Sequence, residues 1–309
     1  MALSRPGEGH LAMLAFSMLV AGSFSFGKRI ATDIDPGVLT LMRFVIAAAV
    51  VGAVAARMRL LRVAVPAAPW RYFVLGGLLA IYFVTMFEGL KTASSVSTSA
   101  VFTLTPAMAA LFGGLILGQR TTARIALALV LGGAGALWVI FDADLARLLA
   151  FQTGRGEAIF FVGCVAHGLY PVLSRRLNRG EPALIITLGM MLAAIGWLTL
   201  YAGRELAETD VAALAPKVWA VLVYLAVPAS AATFFLLQYA ALRLPAAKVM
   251  AYTYLVPSWV SLWEIALGAG LPPPGIVAGI ALTVLALLLL LKEAEGPDRQ
   301  ERIGRSGAP

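Results

Sequence analysis

Few side chains in this chain of 309 residues can do chemistry. Cys164, His167 and Tyr170 recur at every third position, a spacing that brings all three to one face of a helix. A thiol beside an imidazole can serve as nucleophile and base, which makes an intramembrane enzyme using Cys164 and His167 one reading. Against it, the surrounding stretch is apolar and holds no third residue to orient the imidazole. A role for His167 in lining a pocket, by hydrogen bonding or proton exchange near neutral pH, is the other reading. Arg43 carries a planar fork that matches a carboxylate; a structural pairing with a carboxylate or helix-end carbonyls is the alternative. Glu88 and Glu264 are the acidic groups placed to accept protons, although both stand within about a turn of an interface where water can reach them. The single cysteine can form no intramolecular disulfide and no thiolate metal site. There is no Gly-rich loop ending in Gly-Lys-Ser/Thr to bind a nucleotide. The expectation is therefore no metal and no cofactor.

The elements that must position these residues are set by composition. Apolar residues make up 61% of the chain and charged ones 13%, against about 45–50% and 25% in soluble domains. Crossing a bilayer takes about 20 apolar residues per helix, and ten apolar runs can be marked out: 11–27, 36–56, 70–90, 94–117 and 122–141, then 156–174, 182–203, 218–242, 245–268 and 275–291. Alternating them across a bilayer puts 16 cations on the side of the N-terminus and 7 on the other, with Arg43 inside a span. By the positive-inside bias both termini are cytoplasmic, and the location expected is a bacterial inner membrane. The net charge of +8 is accounted for by this orientation, so the partner is the lipid bilayer and not a nucleic acid. Residues 293–309 are polar and of mixed charge, and read as a disordered cytoplasmic tail.

Two segments repeat. Leu-Lys-Thr-Ala-Ser-Ser-Val at 90–96, with Leu104-Thr105-Pro106 and Leu117-Gly118-Gln119 after it, is echoed by Leu-Arg-Leu-Pro-Ala-Ala-Lys at 242–248, Leu255-Val256-Pro257 and residues 267–270. The unit is five helices, 1–150 and 151–292, and an odd unit enters the membrane the second time from the opposite face. The fold class expected is an all-α integral membrane protein with ten transmembrane helices, arranged as two inverted five-helix repeats around a central cavity. Pro106, Pro171, Pro228 and Pro257 each remove a helical hydrogen bond and mark kinks where gates could pivot.

Hydroxyls crowd the fourth span, Ser99 and Thr103 among them, either as packing aids or as hydrogen-bonding groups. Tyr82, Met86, Phe102, Tyr170, Gln238, Tyr239 and Tyr252 lie well within their spans. An aromatic, apolar pocket with a few polar groups suits a zwitterion with a hydrophobic side chain. It does not suit a phosphorylated sugar, which needs several cations at depth.

Tyr-Ala-Ala-Leu-Arg-Leu-Pro-Ala-Ala-Lys at 239–248 with Tyr254-Leu255-Val256-Pro257, and Pro36, Arg43, Pro106 and Leu117-Gly118-Gln119-Arg120 in the first half, resemble the signatures of the EamA-type branch of the drug/metabolite transporter superfamily. The resemblance spans all ten helices. It implies a ten-helix exporter of small metabolites, similar to exporters of aromatic and other neutral amino acids, with a cavity lined by helices 1, 3, 4, 6, 8 and 9. On that placement Ser23, Ser99 and Thr103 join His167 and the seven residues above as cavity-lining candidates. The function expected is amino-acid export by alternating access, in a monomer or weak dimer. A proton-coupled drug exporter using Glu88 or Glu264 is the alternative within transport.

Overall fold

The computed structural model describes residues 5–60, 68–119, 121–150, 152–241 and 246–293, with side chains at all of these except 5, 6, 183, 238, 241, 246–248, 292 and 293. All regular structure among the described residues is helical. Span 1 is Arg5–Lys28, span 2 Pro36–Arg57 and span 3 Trp70–Thr92. Span 4 is split into Ser95–Phe102 and Thr105–Leu117, and span 5 is Ala123–Ile140. A short helix, Leu145–Leu149, leads into the second repeat. Span 6 is Arg155–Leu177 and span 7 Ala183–Glu208. Span 8 runs through Pro216–Ala226, a π turn at Val227–Ala232, and Thr233–Ala241. Span 9 comprises Ala246–Ala251, a 3-10 turn at Tyr252–Leu255, and Val256–Ala266; span 10 is Pro274–Glu293. Among the described residues nine of these segments are long and apolar enough to cross a bilayer unaided; span 9, interrupted by its 3-10 turn, is the tenth. The protein is thus an all-α membrane protein built from two inverted five-helix repeats. The expected tail falls almost wholly outside the described residues.

Local chemistry sets the ends. The Asp35 carboxylate accepts from the Gly37 and Val38 N–H groups at 2.8 and 3.0 Å and starts span 2, with Pro36 just behind it where no N–H is needed. Ser94 does the same for span 4 through the Ser97 N–H at 3.1 Å. The second half of span 4 starts beside Pro106 and ends at Gly118 in the left-handed conformation; the matching half of span 9 starts beside Pro257 and stops just before left-handed Gly268. The two repeats therefore break the same helix at the same place, for the same reason.

Packing follows a pseudo-two-fold relation. Span 3 lies on span 6, and its counterpart span 8 on span 1; span 4 packs on 6 and span 9 on 1; spans 2 and 7, and spans 5 and 10, pair with each other. Several close approaches are backbone against backbone. A Cβ on Gly89 of span 3 would stand 2.6 Å from the Gly156 carbonyl oxygen of span 6, and one on Gly135 of span 5 would stand 2.6 Å from the Gly279 oxygen of span 10. In lipid, where apolar burial drives little association, such small-residue contacts supply the packing energy.

The start of span 1 and the end of span 10 lie on one face, here the terminal face. At the opposite face the Ser95–Phe102 half of span 4 packs on the Val256–Ala266 half of span 9. Toward the terminal face their partners differ: Thr105–Leu117 packs on span 6, and Ala246–Ala251 on spans 8 and 10. That divergence leaves room between the repeats.

Candidate functional site

A cavity of about 130 Å³ occupies that room. It is close in size to an engineered cavity of ~150 Å³ that holds a benzene ring, so it suits a small solute. Spans 1, 3, 4, 6, 8 and 9 all contribute walls, and span 2 contributes Arg43.

Arg43 is 1% exposed. Its Nε donates to Ser230 Oγ at 2.8 Å and its Nη2 to the Ala229 carbonyl at 3.2 Å, both acceptors supplied by the π turn of span 8. Pro228 cannot donate a helical hydrogen bond, and the wider turn it starts brings these oxygens toward span 2. Ser230 passes its own proton to the Leu225 carbonyl at 2.8 Å, which leaves its oxygen free to accept. The guanidinium carbon stands 4.1 Å from the Phe83 ring centroid, a cation–π arrangement. Nη1 is buried without a hydrogen-bond partner, and among the described residues no carboxylate pairs with Arg43. Neutral dipoles and one ring hold this cation, with no counter-charge paired to it among the described residues.

Two hydroxyls near it act as acceptors. Thr233 and Thr253 line the cavity, and each spends its hydroxyl proton on a carbonyl of its own helix: Thr233 on Ala229 at 3.1 Å and Ser230 at 3.0 Å, Thr253 on Met250 at 2.8 Å. Their oxygen lone pairs remain available. Ser23 and Tyr170 also face the space. His167 stacks on Tyr82 at 4.4 Å between centroids and against Phe102 at 5.4 Å. Toward the opposite face Tyr82 and Phe102 join Phe24 and Phe160 in a ring cluster with centroids 5.6–6.0 Å apart. This cluster closes the cavity on that side.

Of the residues singled out from sequence, the cavity brings together Ser23, Arg43, Tyr82, Met86, Phe102, His167, Tyr170 and Pro171. Others lie elsewhere. Ser99 and Thr103 are buried and donate to the Val96 and Ala100 carbonyls at 2.7 Å, so they serve their own helix and not the cavity. Tyr239 donates to Glu8 at 2.7 Å, and Tyr252 bonds His10 at 2.8 Å; both tie the start of span 1 to spans 8 and 9. The Gln238 side chain lies outside the described residues. Glu88 is paired with Lys91 at 2.6 Å near the opposite face. Glu264 lies 3.9 Å from Arg29 and faces a separate pocket there. Cys164 is fully buried in the core behind the cavity wall, while His167 and Tyr170 reach the cavity; the shared helical face therefore splits between core and cavity. Pro106 and Pro257 stand at the breaks of spans 4 and 9, and Pro228 in the π turn. Sequence reading missed Ser230, Thr233, Thr253 and Phe83. Ser230 alone left a signal, a hydroxyl two residues after a mid-span proline. Among the described residues no three His, Cys, Asp or Glu side chains come together to hold a metal.

Residues 7–141 and 154–292 each match the EamA-like transporter family. No curated protein matches the chain. A solved structure titled "Crystal structure of protein" is 22% identical over 93% of this chain and 97% of its own, with a TM-score of 0.69; at that identity the likeness concerns the fold.

Proposed function

We propose that this chain, which belongs to the EamA-like transporter family, exports amino acids, aromatic and other neutral ones, across a bacterial inner membrane. The observation that carries the reading is the unpartnered Nη1 of Arg43, which lines a cavity where the Thr233 and Thr253 oxygens remain open to a donor. A solute with a carboxylate for the guanidinium, an ammonium for the Thr233 and Thr253 oxygens, and an apolar or aromatic remainder for Phe16, Phe83 and Phe102 satisfies all three. A charge-assisted hydrogen bond contributes about 1.5–3 kcal/mol, so the carboxylate is a large share of recognition.

In this reading the terminal face is cytoplasmic, following the cation bias. The cavity receives solute from that side, while the aromatic cluster and the contact between spans 4 and 9 bar the other. Alternating access exchanges the two: the opposite-face halves of spans 4 and 9 part, their terminal-face halves close, and the two repeats trade roles. With no nucleotide-binding motif in the sequence, the solute's own gradient or an ion gradient drives export.

Purified protein reconstituted in liposomes tests this. Flux of phenylalanine and leucine well above empty liposomes is the expected result, with phenethylamine, which lacks the carboxylate, moved more slowly. Flux of nucleosides or lipid-like solutes without flux of amino acids overturns the substrate assignment.

A further inference from the structure

A second pocket, of about 450 Å³, opens at the opposite face and is separate from the cavity. Its walls are the start of span 4, the end of span 5, the end of span 9 and the loop after it. Two of its polar side chains are unsatisfied. Ser261 is 7% exposed and its Oγ has no partner; one turn on, Glu264 Oε1 is buried and also has none. Among the described residues its other oxygen has only Arg29, at 3.9 Å, whose guanidinium also reaches the Leu267 carbonyl at 3.5 Å. A buried polar atom without a partner is costly, and both of these belong to side chains that line one pocket, so a ligand that supplies donors would satisfy them. Across the pocket stand Ser94, Ser95 and Val96, where the Ser95–Phe102 helix begins. Ser94 Oγ caps Ser97 N and the Ser94 carbonyl takes Thr98 N. The positive end of the helix therefore faces the space.

We propose that this pocket is a second, release-side binding site for a zwitterion, with the ammonium on Glu264 and Ser261 and the carboxylate at the start of span 4. It deepens the export reading above, since the same class of solute leaving the cavity meets this pocket next. The site stands on the half of the protein where spans 4 and 9 are in contact, so its occupation bears on the contact that must part for release.

The test separates the two sites. In the Arg43→Ala protein, where the cavity site is lost, glycine titrated into purified protein is followed by the fluorescence of Trp263, adjacent to Glu264 in sequence. Saturable binding is expected, weakened at least tenfold by Glu264→Gln and severalfold by Ser261→Ala, with methylammonium and acetate each binding far more weakly than glycine. Circular dichroism confirms that each variant is folded, and Ser261→Ala stands in should Glu264→Gln fail to fold. Binding insensitive to both substitutions, methylammonium binding as tightly as glycine, or no saturable glycine binding overturns the proposal. Glycine binding in this background with no amino-acid flux in the unaltered protein would overturn the export reading and leave the site standing.

Discussion

Arg71, at the start of span 3, pairs with Glu181 in the turn between spans 6 and 7; Lys217, at the equivalent start of span 8, pairs with Asp33 between spans 1 and 2 at 2.8 Å. The two repeats thus use the same device, one on each face. They differ in burial: the Arg71 side chain is 3% exposed and that of Lys217 61%. Arg71 also donates to the Leu177 carbonyl at the end of span 6 and to Ala68 at 3.2 Å.

Losing one partner of a buried pair strands the other, at about 3–5 kcal/mol, whereas exposed pairs are worth about 0–1 kcal/mol. Arg71→Ala is expected to cost about 3 kcal/mol and Lys217→Ala less than about 1 kcal/mol. Thermal denaturation of both variants in detergent checks this; equal losses would show that burial is not what separates the pairs.

Hydrogen bonding to the Arg71 guanidinium holds the Glu181 carboxyl down at about 2, below its ordinary 4.5. A group whose folded value is depressed stabilises the fold fully above the unfolded value, and that stabilisation drains away as pH falls toward the folded one. The wild-type unfolding midpoint is expected to drop between pH 4.5 and pH 2 by more than that of Glu181→Gln. Parallel curves for the two proteins would remove Glu181 as the acid-sensitive group.

Arg43→Lys keeps the charge and loses the fork that engages Ser230 and Ala229 together. The expected outcome is a tenfold or greater fall in apparent affinity for amino acids, with little change for amines that lack a carboxylate. Ser230→Ala should give a smaller effect in the same direction. Transport assays with paired substrates read the difference, and equal loss for both substrate types would place Arg43 in the fold and not in recognition.

A methyl group on Gly156 would stand 2.4 Å from the Gly89 oxygen and 2.7 Å from the Ala93 nitrogen, both backbone atoms that cannot step aside. Gly156→Ala is expected to push spans 3 and 6 apart and destabilise by about 2 kcal/mol or more. Gly133 has open space around its Cβ position, so Gly133→Ala should be neutral or slightly stabilising through helix propensity. Denaturation midpoints compare the two.

Cys164 lies in the core and away from the cavity. Replacing it with Ala is expected to leave flux within about twofold while lowering stability by about 1 kcal/mol for the small void. Abolished flux in a folded Cys164→Ala protein would return the thiol to the mechanism.

Hydrophobic run length set the spans, because a chain in lipid must satisfy its backbone within each helix. Pro106 and Pro257 marked the breaks of spans 4 and 9 through local sterics that any tertiary setting must respect. Arg43 was visible as a cation well inside a span, yet the residues that hold it, Ser230 and Ala229, sit on another helix far along the chain.

What the tertiary structure alone decided was the destination of each polar side chain. Ser99, Thr103, Thr233 and Thr253 are all hydroxyls that bond their own helix, and only helix rotation within the bundle turned the last two toward the cavity. Tyr239 and Tyr252 were drawn to Glu8 and His10 by the packing of span 1. Periodicity fixes which residues share a face of one helix. Which face meets the cavity depends on contacts between helices distant in sequence, such as the approach of Gly89 to Gly156, and those exist only once the repeats are packed together.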